Sequence, residues 1–213
     1  MNKMVVKPVD FYEMSPDDIV KYLPGKDCNN CGYDDCKGFA VALSKDTVKV
    51  EKCPEMELRM KESLDGTLSI KLEVHEADFS FSTVPETLIE INSPTPDSPI
   101  LVTGNSGVTL YVLKLIFKKT PNVSTWIVPT DTKGYTIDHA AAMHLMTPMT
   151  VMKGLMNAAM SGKVNHRNII LPGLCEGIER QVEMITKWRT EVGPKSGFEL
   201  PTYLVKKSEK DDL

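Results

Sequence analysis

Residues 98–130 read SPILVTGNSGVTLYVLKLIFKKTPNVSTWIVPT. A short apolar run ends in Gly104, residues 108–119 carry helical spacing, and residues 124–130 form a second apolar run. Strand, helix, strand in that order is the unit from which parallel sheets are built. Downstream the alternation continues. TIDHAAAMHL (136–145) and PMTVMKGLMNAAMSGK (148–163) have helical patterns rich in Ala and Met, and NIILPG (168–173) is a third strand. EGIERQVEMITKW (176–188) predicts a helix, TEVGP (190–194) a fourth strand, and LPTYLVKK (200–207) a last helical turn. Right-handed crossovers between these strands predict a Rossmann-like parallel α/β domain over residues 98–207, with 208–213 as a solvated tail.

Upstream of this domain the pattern is different. NSPTPDSPI (92–100) holds three prolines and marks a boundary. TLSIKLEVHEADFSF (67–81) alternates apolar and polar residues through Leu68, Ile70, Leu72 and Val74, which predicts an extended or hairpin-like connector over 61–97. SPDDIVKYL (15–23) predicts a short helix with Ser15 as N-cap, and CKGFAVALSK (36–45) a second with Phe39, Ala40 and Leu43 turned inward. Residues 1–60 are therefore expected to form a small helical domain.

Four of the five cysteines lie in that domain. Cys28, Cys31, Cys36 and Cys53 are spaced C-x2-C-x4-C-x16-C, with Pro54 directly after the last. No run of 18 apolar residues is present, the N-terminus reads as no signal peptide, and the expected location is cytoplasmic. In a reducing compartment clustered cysteines are metal ligands or catalytic groups more often than disulfides, and five is an odd number. Three thiolates on one tight loop and a fourth returning from a distance can surround a 4Fe–4S cluster, each iron taking one sulfur. Structural zinc also accepts four thiolates, usually from two C-x2-C knuckles, of which only one occurs here. Zinc stays open as the alternative. The net charge of -4 gives no electrostatic case for nucleic acid.

The stretch YLPGKDCNNCGYDDCKGFAVALSKDTVKVEKCP (22–54) resembles the iron–sulfur domain of the large subunit of the corrinoid iron–sulfur protein. That family belongs to the acetyl-CoA decarbonylase/synthase system. The shared pattern is the four cysteines, Gly32, the Phe39–Ala40 pair and the closing Cys-Pro. The C-terminal half is similar to the family's corrinoid-binding domain. Thr103, Asn105, Thr109 and Tyr111 match one turn, Asp131, Thr132 and Gly134 a second, Pro172–Gly173 a strand end, and Pro201, Tyr203 and Leu204 a late motif. Ser106 stands where the family has Phe. The family also places a TIM barrel between its two parts, whereas here only residues 57–97 intervene.

The resemblance implies an iron–sulfur cluster and a corrinoid, the chain's own or borrowed from a partner. It further implies a role in methyl transfer or corrinoid reduction in anaerobic one-carbon metabolism. The alternative is an accessory, redox- or oxygen-responsive protein that grips the corrinoid of a methyltransferase complex, peripherally at a membrane where that complex lies in one. Expected partners are such a methyltransferase and an electron donor such as ferredoxin. A third reading is a ferredoxin-like module fused to an α/β domain that has lost its pocket.

In an open parallel sheet, ligands sit beyond the carboxyl ends of the strands. The residues at those ends are Thr103, Gly104, Asn105, Ser106, Gly107 and Thr109; Thr130, Thr132, Gly134 and Tyr135; Pro172, Gly173 and Leu174; and Gly193 and Pro194. They offer small profiles, hydroxyls and free N–H groups to a corrinoid's amide rim. No Asp-x-His-x-x-Gly motif is present, so no histidine is expected on cobalt, and neither G-x-G-x-x-G nor a Walker sequence supports a nucleotide. Cys175 is expected to be an inert buried thiol, His75, His139, His144 and His166 to play ordinary roles, and Trp126 to be core. The methionines of residues 143–160 are expected mainly to pack between helices. No catalytic arrangement stands out.

Overall fold

The computed structural model describes residues 14–70 and 82–211. It begins with helix α1 (Pro16–Val20), whose N-cap Ser15 and third residue Asp18 form a reciprocal capping box. Helix α2 (Cys36–Ser44) is capped by Asp35, which accepts the Gly38 N–H at 2.6 Å, and buries Phe39, Ala40, Ala42 and Leu43. After the 3-10 turn Val50–Lys52 comes α3 (Leu58–Leu68). Residues 67 and 68, expected to open an extended connector, are thus the end of a helix, and the expected boundary at residue 60 falls inside it. Its buried side is Met60, Ser63, Leu64 and Thr67, spaced i, i+3, i+4, i+7, but two of those four are hydroxyl residues and dilute the apolar stripe. Most of the predicted alternation, with His75, falls at residues 71–81, outside the described residues.

The sheet begins with β1 (Ile89–Ile91) and continues with β2 (Ile100–Gly104). Helix α4 (Gly107–Lys118), β3 (Thr125–Thr130), α5 (Ile137–Ala142), α6 (Pro148–Asn157), β4 (Asn168–Leu171), α7 (Glu179–Thr186), β5 (Arg189–Val192) and α8 (Leu200–Asp211) follow. Helix α8 runs through residues expected as tail. Strand order is β1-β3-β2-β4-β5; β2, β3, β4 and β5 are parallel as expected, and β1 adds an antiparallel edge beside β3. The chain is mixed α/β with a five-stranded sheet.

The two-residue strand period divides the core in two. Ile100, Val102, Trp126, Val128, Ile169 and Leu171 face one side, against α6 and α7. Leu101, Ile127 and Ile170 face the other, against α4 and α8. That second core is continuous with the N-terminal helices: Ile19, Phe39, Leu43, Met60 and Leu64 pack into it alongside Phe117, Phe198 and Val205. Each such side chain contributes about 1.5–3 kcal/mol by leaving water. Gly66 of α3 lies so close to α4 that a Cβ would stand 2.3 Å from the Lys119 carbonyl oxygen. Asn92, just after β1, donates to the Phe117, Thr120 and Val123 carbonyls at the α4 terminus. A buried polar tie completes the docking: Glu199, 4% exposed, accepts the Tyr22 hydroxyl at 2.9 Å.

Candidate functional site

The cysteine loop is shaped by turns that need left-handed backbone at Asp27, Asn29 and Gly32 (φ 45°, 56° and 79°). Asp27 Oδ1 accepts the Cys36 N–H at 2.8 Å, fastening the loop to the first residue of α2. Cys53 returns from the 3-10 turn before it. All four cysteines line one narrow space of about 10 Å³, walled by Pro24, Tyr33 and Phe39. None is in a disulfide. Burial pushes the Cys53 thiol up from its ordinary value; the Glu55 backbone N–H opposes this, and the proximity of Cys31, Cys36 and Cys28 adds to it.

Four soft donors around one space fit a four-iron cluster. A single zinc ion would accept the same four thiolates, and a cuboid lets each sulfur meet a different iron. Cys28, Cys31, Cys36 and Cys53 would hold it, and the cluster would supply one-electron transfer.

The second site lies where chain direction reverses. From β2 the chain crosses to β3 on one side and later returns past β2 to β4 on the other, so the β2 and β4 carboxyl ends form the topological switch point. A cavity of about 370 Å³ opens there. Its floor is apolar, made by Leu101, Ile170, Leu171, Val112, Leu113 and Phe198, and Thr103, Thr109, Thr136, Asp138, His139 and Lys195 supply polar groups. His139 Nδ1 lies 3.1 Å from Thr136 Oγ1 and 3.2 Å from Asp138 Oδ2.

Of the residues expected to hold a ligand, Thr103, Thr109, Pro172, Leu174 and Pro194 line this cavity. The others sit beside it and brace the strand ends. Asn105 Oδ1 accepts from the backbone N–H of Thr132 at 3.0 Å and of Gly134 at 3.2 Å, with the Thr132 hydroxyl 3.1 Å away. That hydroxyl also lies 3.0 Å from the Tyr135 carbonyl. Thr130 is buried and donates to the Thr103 carbonyl. A Cβ on Gly104 would meet Thr132 Oγ1 at 2.6 Å. Gly173 and Gly193 let the ends of β4 and β5 meet: a Cβ on Gly173 would lie 2.6 Å from the Gly193 oxygen, and the Gly173 N–H donates to Pro194. Ser106 is buried at the α4 N-cap.

The chain itself covers the Asn105–Gly107 turn. Gly107 donates to the Ser82 carbonyl at 2.8 Å, Val84 donates to the Asn105 carbonyl at 3.0 Å, and Thr83 bridges Ser106. Gly134 lies against the same segment. The α5 contribution of Thr136, Asp138 and His139 was not anticipated; the visible signal was Thr136 at the N-cap of a helix rising from a strand end. Cys175 is buried, and burial alone pushes its thiol up to about 11. Trp126 is core, as expected. The methionines divide: Met146 and Met160 are buried, whereas Met143, Met149 and Met156 are exposed.

The molecule is thus a four-cysteine loop region packed on an open α/β domain with a cavity at its switch point. Residues 77–204 match the family described as the CO dehydrogenase/acetyl-CoA synthase delta subunit, and residues 23–55 match a family described as a putative Fe-S cluster. The first match covers more than half of the chain, which belongs to the CO dehydrogenase/acetyl-CoA synthase delta subunit family.

Curated relatives carry the name acetyl-CoA decarbonylase/synthase complex subunit gamma. The Archaeoglobus fulgidus protein is 25% identical over 140 residues, covering 66% of this chain and 30% of the relative. The Methanopyrus kandleri protein is 29% identical over 56% of this chain and 26% of its own length. For Methanocaldococcus jannaschii the figures are 30% identity, 55% and 24%. The chain thus spans less than a third of the length of these relatives. No helix among the described residues is long and apolar enough to cross a membrane.

Proposed function

We propose that this chain is a small corrinoid/iron–sulfur protein acting in methyl transfer or corrinoid reduction in anaerobic one-carbon metabolism. The observation that carries the reading is the union, on one continuous core, of a four-cysteine loop and an apolar cavity at the switch point of an α/β sheet. The relatives' names place them in an acetyl-CoA decarbonylase/synthase complex, so a protein complex is the natural setting. When bound, a corrinoid supplies a cobalt centre that can accept a methyl group, and the cluster supplies single electrons. The chain's own task is to seat the corrinoid edge against Leu101, Ile170 and Phe198. Thr103, Thr109, Thr136 and Lys195, which line the same cavity, would supply hydrogen-bonding groups to its amides and phosphate. Domains are proposed as the cluster region up to α3, a connector, and the corrinoid region from β2 to α8.

One observation favours a second reading, in which the corrinoid belongs to a partner methyltransferase that this chain protects or reactivates. The cavity is at the small end of the range for drug-sized ligands. Moreover Ser82–Val84 cover the Asn105–Gly107 turn, whose residues were expected among those contacting a corrinoid. A chain so built grips one edge of a corrinoid and leaves the remainder to another protein. Anaerobic purification from native cells, with iron, cobalt and co-purifying polypeptides quantified, separates the two. Cobalt on the solitary chain supports the carrier; cobalt only in company with a methyltransferase supports the accessory protein; iron alone, without cobalt or such a partner, defeats both.

A further inference from the structure

The four cysteines do not share one environment. Cys31 and Cys53 are members of the core that also holds Ile19, Phe39 and Phe117, and Cys36 packs against its rim. Cys28 has no place in that core. It is exposed, within a run of exposed residues from 25 to 30. A cuboid bound to all four sulfurs therefore has three corners set into protein and one facing water.

We propose that the Cys28 corner is a metal-exchange site: its iron is the one released on oxidation and restored on reduction, and the vacated corner accepts other thiophilic divalent ions. The inference rests on the iron–sulfur reading of the loop. Solvent reach decides it, because oxidants, water and chelators must approach the iron that leaves. Cys28 is the ligand that lets go. One electron passes from the cluster to an added oxidant such as ferricyanide, which becomes ferrocyanide. A ferrous ion then departs, the Fe–S bond to Cys28 breaks, and the freed thiolate takes a proton from water. Three ferric ions and four sulfides remain on Cys31, Cys36 and Cys53. Reversal needs one electron from a reductant such as dithionite, a ferrous ion, and loss of that proton.

The test uses the full wild-type chain, reconstituted anaerobically with iron and sulfide. Absence of iron uptake at this stage counts against the cluster itself and is read before the exchange is examined. Ferricyanide is then added, released iron is measured, the three-iron form is sought by electron paramagnetic resonance, and exposed thiols are trapped with iodoacetamide for peptide mapping. The expected result is one iron lost per cluster, a three-iron signal, and alkylation at Cys28 alone. Cys175 stays unlabelled near neutral pH because its thiol is held protonated. Label on Cys31, Cys36 or Cys53, label spread over all four, or collapse without a three-iron form overturns the proposal. A second arm restores the cluster with iron-57 and reads the inserted site by Mössbauer spectroscopy. C28S should alter that site and C175A, outside the cysteine loop, should leave it unchanged; an inserted site that C28S leaves unaltered also overturns the proposal.

Discussion

The cysteine loop and the switch-point cavity were both marked in the sequence, yet they differ in how faithfully residue identity announced its role. In the loop, all four residues singled out line the same space. At the strand ends, only five of the residues singled out line the cavity, and the rest hold the loops together. The difference lies in the chemistry. Few groups other than thiolates satisfy iron, so a cysteine cluster has few competing explanations. Thr, Asn and Gly serve equally well as ligand donors, as turn-formers or as the small residues that let two strand ends touch.

The largest expected effects break the loop. C31S or C53S replaces a buried thiol by a poorer ligand in the core, and the reconstituted protein should lose its iron and its visible absorbance almost entirely. Retention of wild-type iron in either variant would remove these residues from the ligand set. Next, L174W places an indole in the mouth of the cavity. It should abolish corrinoid binding while leaving iron content unchanged, a dissociation that checks whether the two sites are separate in chemistry as well as in place.

Asn105 sharpens the comparison, because it was read as a ligand residue and its side-chain oxygen holds the Thr132–Gly134 turn. N105A strips the acceptor from the Thr132 and Gly134 N–H groups, at a cost of about 1–3 kcal/mol for each group left buried and unpaired. A fall in thermal stability with modest change in corrinoid affinity is expected; the opposite pattern would return Asn105 to the site. Y22F should cost about 1.5–3 kcal/mol by removing the hydroxyl that Glu199 accepts, seen as a lower unfolding midpoint in denaturant.

The smallest effect concerns Cys175. C175A should leave iron and corrinoid binding unchanged. In the cluster-loaded wild type, alkylation of Cys175 should accelerate only as pH nears 11. Its raised pKa means the protonated thiol is favoured in the fold. That contribution is present below the ordinary thiol range and is lost as pH climbs through it toward 11.

Much of the architecture was legible. Parallel strands β2 to β5 and the helices between them follow from the alternation that begins at residue 98, α1 from its cap and apolar spacing, and α2 from its apolar spacing alone. Helix α3 was hidden because Ser63 and Thr67 occupy inward positions that a hydrophobicity pattern counts as polar. The antiparallel edge β1 was hidden because three residues beside a proline-rich stretch carry too short a pattern. At the site, His139 and Asp138 reach the cavity only because α5 rises from the end of β3; Thr136 as a candidate N-cap marks where that helix starts but does not say which of its faces overlooks the strand end. The cover of Ser82–Val84 over Asn105–Gly107 is a long-range contact and equally silent in sequence.

The account turns on one chain having both an iron–sulfur loop and a corrinoid-gripping cavity. The most direct measurement is anaerobic titration of the cluster-loaded chain with free cobalamin, followed by absorbance and by cobalt retained after gel filtration, with L174W alongside. The account predicts saturable binding at no more than one corrinoid per chain, lost in L174W with iron intact. Absence of binding at any cobalamin concentration reached, or binding that L174W leaves untouched, would contradict it.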